Sequence, residues 1–106
     1  MKFALNAYTV TSQLPKEEEY GLKRQIKGAV VSIASNIAEG CSRTSQKEFR
    51  HYLEISLGSA FEAETQIILA RQLEMLTEEQ ENQCILVLQQ LQKSINAFIR
   101  STKDFT

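Results

Sequence analysis

Two long stretches of the chain place apolar or small residues at alternating steps of four and three. This repeat averages 3.5 residues, which keeps one stripe of a helix facing its neighbours in a bundle. One proline and four glycines interrupt 106 residues, and no stretch alternates as a strand does. The pattern predicts an all-α protein. The predicted core positions are Phe49, Leu53, Ser56, Ala60, Ala63, Ile67 and Ala70, and then Cys84, Leu88, Leu91, Ile95, Phe98 and Thr102.

Start and stop signals divide the chain into four predicted helices. Two capping boxes, beginning at Ser45 and Thr77, mark helix N-termini. Pro15 ends a short first helix, because the residue before a proline disfavours helical backbone. Gly40 is expected to end the second helix in the left-handed conformation. The predicted helices are Lys2–Gln13, Leu22–Glu39, Ser45–Leu73 and Glu78–Thr102.

The connections between these helices are short, and short connections force neighbouring helices to be antiparallel. The length allows one core, so residues 1–106 are expected to form a single domain. The predicted architecture is an up-down-up-down antiparallel four-helix bundle with a short first helix.

The two cysteines, Cys41 and Cys84, stand apart without a CxxC pair, which is typical of reduced thiols in the cytoplasm. No signal peptide opens the chain, and no apolar run approaches the length of a membrane span. The sequence therefore predicts a cytoplasmic protein with no membrane partner.

Glu48-x-x-His51 has the spacing of a di-iron ligand pair, but such a site needs two of these motifs and further glutamates. His51 is the one histidine of the chain, and Glu48 is already explained as part of a capping box. The same lack of histidines leaves no nucleophile–histidine–acid set, and no glycine-rich phosphate loop occurs. We expect no metal, no cofactor and no enzymatic activity.

Basic residues are concentrated in one segment, although the net charge of the chain is −1. Such a segment is more often a solvated face than a binding site. If it does bind RNA or DNA, the contacts should be weak and independent of sequence, since no aromatic cluster interleaves the charges. The alternative is a scaffold for a protein partner, in which these residues only confer solubility. The segment contains Lys23, Arg24, Lys27, Arg43, Lys47 and Arg50.

Small residues lie on faces of the second and third helices that point away from the predicted core. A glycine within a helix costs about 1 kcal/mol relative to alanine, so its presence suggests close contact with another subunit. The predicted oligomer interface contains Gly28, Ser32, Ser35, Gly58, Ser59 and Glu62. Glu39 opposes the helix dipole; it is either a solvated surface residue or one that faces the third helix or pairs with Arg43.

Several blocks of residues between Leu14 and Phe98 resemble the "four helix bundle protein" family encoded in intervening sequences of bacterial 23S ribosomal RNA genes. The block Ser32–Gly40, which contains the family motif Ser32, Asn36, Glu39 and Gly40, is highly specific to this family together with Leu57-Gly58-Ser59. The other matching blocks are Tyr20-Gly21-Leu22, Gln25-Ile26, Ala29 to Ile33, Ser35 to Ala38, Arg43, Glu48-Phe49, Leu57-Gly58-Ser59, Glu62 and Glu64-Thr65.

The resemblance implies a four-helix protomer that assembles into a homopentamer. It also implies kinship with the accessory protein of diversity-generating retroelements, which binds nucleic acid and a reverse transcriptase through a basic surface. Relatives usually carry an aromatic-containing segment before the position of Phe3, and consecutive basic residues where this chain has Lys27-Gly28.

Overall fold

The computed structural model describes residues 21–103, which form three helices: α1 (Leu22–Cys41), α2 (Gln46–Gln72) and α3 (Glu78–Lys103). These residues contain no strand, so the all-α prediction is confirmed for this part of the chain. Each helix agrees with its predicted range to within two residues at either end. The predicted first helix, Lys2–Gln13, lies outside the described residues.

Both predicted N-caps are confirmed, but only the second of the two predicted capping boxes forms both of its hydrogen bonds. Ser45 Oγ accepts a hydrogen bond from the backbone N–H of Glu48 at 3.0 Å, at the start of α2. At the start of α3 the box is reciprocal: Thr77 Oγ1 accepts from Gln80 N at 3.1 Å, and Gln80 Oε1 accepts from Thr77 N at 2.9 Å. These bonds satisfy backbone donors that have no partner within the first turn of a helix.

The predicted left-handed glycine at the end of α1 is wrong. Gly40 lies inside α1, and no glycine among residues 21–103 has a positive φ. The turn is closed instead by Ser42, whose N–H and hydroxyl both donate to Glu39 O, at 3.2 and 2.7 Å. The left-handed residue is at the end of α2, where Glu74 has φ 63° and Met75 N bonds Ala70 O at 2.9 Å.

The central helix is α2, and α1 and α3 each pack along it in the antiparallel direction. No Cα atom of α1 comes within 8 Å of a Cα atom of α3. The C-terminal ends of α1 and α3 therefore lie at the same end of the molecule as the N-terminal end of α2. This arrangement decides which charged residues become neighbours.

The core of α2 matches its prediction, except that Phe49 is half-buried. In α3 one predicted core residue is wrong: Phe98 is 57% exposed, and Ile99 at 5% takes its place. A helix of 3.6 residues per turn drifts away from a strict 3.5 repeat, so the position four residues after Ile95 is the buried one. None of the described helices is long and apolar enough to cross a membrane.

Candidate functional site

A set of polar side chains, here called the polar seam, joins α1 to α2 and consists of Ser32, Asn36, Ser56 and Ser59. The hydroxyls of Ser32 and Ser59 are hydrogen-bonded at 2.8 Å. Asn36 Nδ2 donates to Ser32 O at 2.8 Å and to Ser32 Oγ at 3.1 Å. Buried Ser56 donates from Oγ to the carbonyl of Ile33 at 2.8 Å. The seam fixes the register of α1 on α2, because these bonds form at one alignment of the helices.

Gly40 lies at the C-terminal end of this contact and is buried. A Cβ atom at this position would lie 3.0 Å from Tyr52 Cβ, 3.1 Å from Phe49 Cδ1 and 3.4 Å from Phe49 O. The first two distances are shorter than ordinary carbon–carbon contacts of 3.5–4.0 Å. Glycine is therefore needed here for close approach of two helices, which is a packing requirement and not a conformational one.

Beyond Gly40, the side chains of Glu39, Arg43, Tyr52 and His51 form a connected group. Glu39 and Arg43 form an ion pair at the surface, where the Glu39 side chain stays 48% exposed, so Glu39 is both solvated and paired with Arg43. Arg43 Nη2 also donates to Tyr52 Oη at 3.1 Å, and Arg43 Cζ lies 5.1 Å from the centre of the Tyr52 ring. Tyr52, and after it Glu39, raises the pKa of Arg43. The ring of exposed His51 meets that of Tyr52 edge to face, with centres 5.3 Å apart.

The structure does not bring the six basic residues of the predicted segment together. Lys23, Arg24 and Lys27 lie in the first two turns of α1, and Lys23 is only 8% exposed. The remaining three, Arg43, Lys47 and Arg50, lie beyond the opposite end of that helix. From Lys27 to the end of α1 at Cys41 the helix rises roughly 21 Å, at about 1.5 Å per residue, so the two groups lie at opposite ends of α1.

One basic residue missed by the sequence analysis joins the second group. Arg100 is exposed near the C-terminus of α3, which lies beside the N-terminus of α2. We call the residues Lys47, Arg50 and Arg100, together with Arg43, the basic end. The predicted antiparallel topology indicates the position of Arg100, because it places the last turns of α3 beside the first turns of α2. The glutamates in the first turn of α3 lie at the other end: Glu78, Glu79 and Glu81.

The predicted interface residues divide into two sets. Gly28 and Gly58 are exposed, and a Cβ atom at either position would meet no atom within 4 Å. Ser35 and Glu62 are exposed as well. Ser32 and Ser59, expected on outward faces, instead belong to the polar seam of a single protomer, because both lie at the edge where α1 meets α2. Contact of this surface with another subunit stays a prediction.

Two concave surfaces lie near the basic end. An apolar groove of about 120 Å³ is lined by Ile37, Cys41, Phe49, Leu53, Leu91, Ser94, Ile95 and Phe98. A more polar cleft of about 290 Å³ at the α1–α2 turn is lined by Gly40, Cys41, Arg43, Thr44, Ser45, Gln46 and Phe49.

Neither the thiols nor the candidate metal ligands form a site in the described part of the chain. Cys41 is exposed and Cys84 is buried, and burial raises the pKa of the Cys84 thiol. Among residues 21–103, no three His, Cys, Asp or Glu side chains are grouped as a metal ion would require.

No curated protein matches the chain. The family model described as 23S rRNA-intervening sequence protein matches residues 1–97, and the chain belongs to this family.

Proposed function

We propose that this member of the 23S rRNA-intervening sequence protein family is a non-enzymatic module that binds RNA or DNA weakly through the basic end. The observation that carries the proposal is the grouping of Lys47, Arg50 and Arg100 at one end of the helices. None of the three forms an ion pair with another described residue. Unpaired surface cations can contact phosphates and release counterions, which favours binding at low salt.

Arg43 contributes differently, because its charge is already paired with Glu39. Arg24 and Lys27 lie too far from the basic end to contact the same few phosphates. The proposed site is therefore smaller than the segment that the sequence indicated, with three cations per protomer that form no ion pair among residues 21–103.

The test compares two triple variants in RNA binding at rising salt. Replacing Lys47, Arg50 and Arg100 by glutamine should weaken binding at low salt and flatten the salt dependence, since each phosphate contact contributes about 0.7–0.9 to the slope of log K against log salt. The control replaces Arg24, Lys27 and exposed Lys93 by glutamine, which removes the same charge elsewhere. Equal losses in both variants, or no binding by the wild type, would contradict the proposal.

We further propose a homo-oligomer, which the family resemblance suggests is a pentamer. The outer face of α2 supports this proposal, since it exposes Ile55, Leu69 and Leu73 in line with Gly58. A cyclic assembly would repeat the basic end around one rim and raise a weak affinity by multivalency. Gly58→Leu should dissociate the oligomer in sedimentation while the protomer stays helical; Ala97→Leu, at an exposed position of α3, is the control. An unchanged oligomer with Gly58→Leu would reject this interface.

A four-helix bundle is the architecture that we propose for the protomer. Because α1 and α3 both pack on α2 while none of their Cα atoms come within 8 Å of each other, an amphipathic helix could contact both of them at a fourth corner. The predicted helix Lys2–Gln13 carries Phe3, Ala7 and Val10 on one face. Val10→Asp should then lower the denaturant midpoint, while Thr9→Asp, one residue away on another face, should not. Equal midpoints for both variants would contradict the fourth helix.

The alternative function is a scaffold that binds a protein partner. The apolar groove beside Phe98 favours it, because exposed apolar surface rimmed by polar residues is typical of protein contacts. The salt titration separates the two functions. If the wild type binds neither RNA nor DNA at low salt, the scaffold function is favoured. Either function is compatible with the cytoplasm, where free thiols such as Cys41 stay reduced.

A further inference from the structure

The basic end carries an aromatic group that the sequence analysis did not assign to it. His51 and Tyr52 are neighbours on α2, with ring centres 5.3 Å apart and planes inclined by 73°. Arg43 comes from the α1–α2 turn and lies over Tyr52, 5.1 Å from its centre. Aromatic rings and guanidinium planes are the surfaces on which unpaired bases stack.

The guanidinium of Arg43 is held in place before any ligand arrives. Glu39 pairs with it, and the Tyr52 hydroxyl accepts a bond from it at 3.1 Å. A freely rotating arginine side chain loses conformational entropy when it presents its flat guanidinium group to a base. The contacts of Arg43 with Glu39 and Tyr52 restrict this side chain beforehand, so less entropy is lost on binding. Since the charge of Arg43 is balanced by Glu39, Arg43 would contact a nucleic acid mainly by stacking its planar guanidinium group on a base.

The surroundings of His51 leave room for a strand. His51 is exposed, and Lys47 is four residues earlier on the same face of α2. A polar cleft bordered by Arg43 opens at the α1–α2 turn. A chain of nucleotides could thus place a base near the rings and its phosphates near Lys47 and Arg50.

We propose that His51, Tyr52 and Arg43 form a stacking platform, and that the ligand of the basic end is single-stranded nucleic acid. This inference rests on the proposed function and specifies its ligand. In a duplex the base faces are covered by neighbouring bases, so only the phosphates could contact the basic end. A single strand offers both phosphates and base faces. The platform replaces the expectation that no aromatic residues accompany these charges.

The first experiment measures binding of the full chain to four probes of equal length at low salt: oligoadenylate, oligodeoxyadenylate, an abasic oligodeoxynucleotide and an RNA duplex. Stacking of one base should make oligodeoxyadenylate bind roughly 5- to 150-fold more tightly than the abasic strand. Comparison of the two adenylates shows whether the site prefers RNA or DNA. Equal binding of the abasic strand and oligodeoxyadenylate would overturn the platform and leave the proposed function standing. Failure of all four probes would overturn both.

The second experiment uses variants that keep the charge of the basic end. His51→Ala should weaken adenylate binding by a similar factor and leave abasic binding unchanged, while His51→Phe, which retains a ring, should restore it. Gln46→Ala, an exposed neutral neighbour in the first turn of α2, is the matched control. Because His51 is exposed, these variants should keep the fold, which circular dichroism checks. Equal weakening toward adenylate and abasic strands by His51→Ala would overturn the platform.

Discussion

The α1–α2 contact and the α2–α3 contact of the described structure are stabilised by different interactions. Where α1 meets α2, hydroxyl and amide groups form hydrogen bonds across the contact, and Gly40 allows close approach. Where α2 meets α3, the one side-chain hydrogen bond between described residues is from Gln92 Nε2 to Glu64 Oε2, at 3.3 Å. The rest of that contact relies on buried aliphatic residues such as Leu88 and Ile95.

The difference separates two ways of holding a helix. Apolar burial provides most of the free energy of folding. Because it is non-directional, it tolerates small shifts of register. Hydrogen bonds and a glycine contact provide less free energy, but they favour one alignment. The polar seam adjoins the Glu39–Arg43 pair and Tyr52, so the contact with the fixed register is the one that holds the proposed platform in place.

The largest effect should come from the apolar contact. Leu88 is fully buried in α3, and Leu88→Ala should lower the free energy of unfolding by roughly 2–5 kcal/mol through lost burial and a cavity. Leu86→Ala is the control, since Leu86 is 57% exposed on the same helix. Denaturant melts measure both variants. A neutral Leu88→Ala would mean that α3 does not depend on this core.

The next effect tests close approach at the other contact. Gly40→Ala should destabilise by about 1–2 kcal/mol, because the new methyl group crowds Phe49 and Tyr52 by more than the gain in helix propensity offsets. Gly28→Ala, in open space on the same helix, should instead stabilise by up to about 1 kcal/mol. If thermal melts show that Gly40→Ala and Gly28→Ala both stabilise the protein, the α1–α2 contact is looser than described.

A smaller effect isolates one hydrogen bond of the polar seam. Ser56→Ala removes the buried bond to Ile33 O and should cost about 0.5–1.5 kcal/mol. Thr65→Ala is matched to it, since Thr65 Oγ1 also donates to a backbone carbonyl, that of Phe61, but at an exposed position within one helix. Urea melts should show little change for Thr65→Ala. Equal losses would show that burial across the contact adds nothing.

The smallest effect is a dependence of stability on pH. Burial raises the pKa of the Cys84 thiol, so the fold favours the neutral form. The stabilisation is fully present below the unfolded pKa of about 8.5 and is lost as pH rises through the folded value. The denaturant midpoint should therefore fall above about pH 8.5 in the wild type, and fall less in Cys84→Ala. Cys41→Ser, at an exposed position, should retain the wild-type pH dependence, and an identical profile for Cys84→Ala would contradict the assignment.

Part of the candidate site was predictable from the sequence. The motif residues Ser32, Asn36, Glu39 and Gly40 were identified, and the pairing of Glu39 with Arg43 was one of the stated alternatives. The partners Ser56, Ser59 and Tyr52 were not assigned, because each lies on α2, 9 to 27 residues away from the group it bonds. No periodicity within one helix indicates which residue of another helix lies opposite.

The sequence by itself determined the helices that the structure describes, because capping and apolar repeat are local. Ser45 and Thr77 start α2 and α3 through bonds that reach only three residues along the chain. Tertiary structure alone decided why Gly40 is a glycine and that Ile99 and not Phe98 is buried. The physical reason is that distances and burial across helices depend on how whole helices pack, and residues far apart in the chain set that packing together.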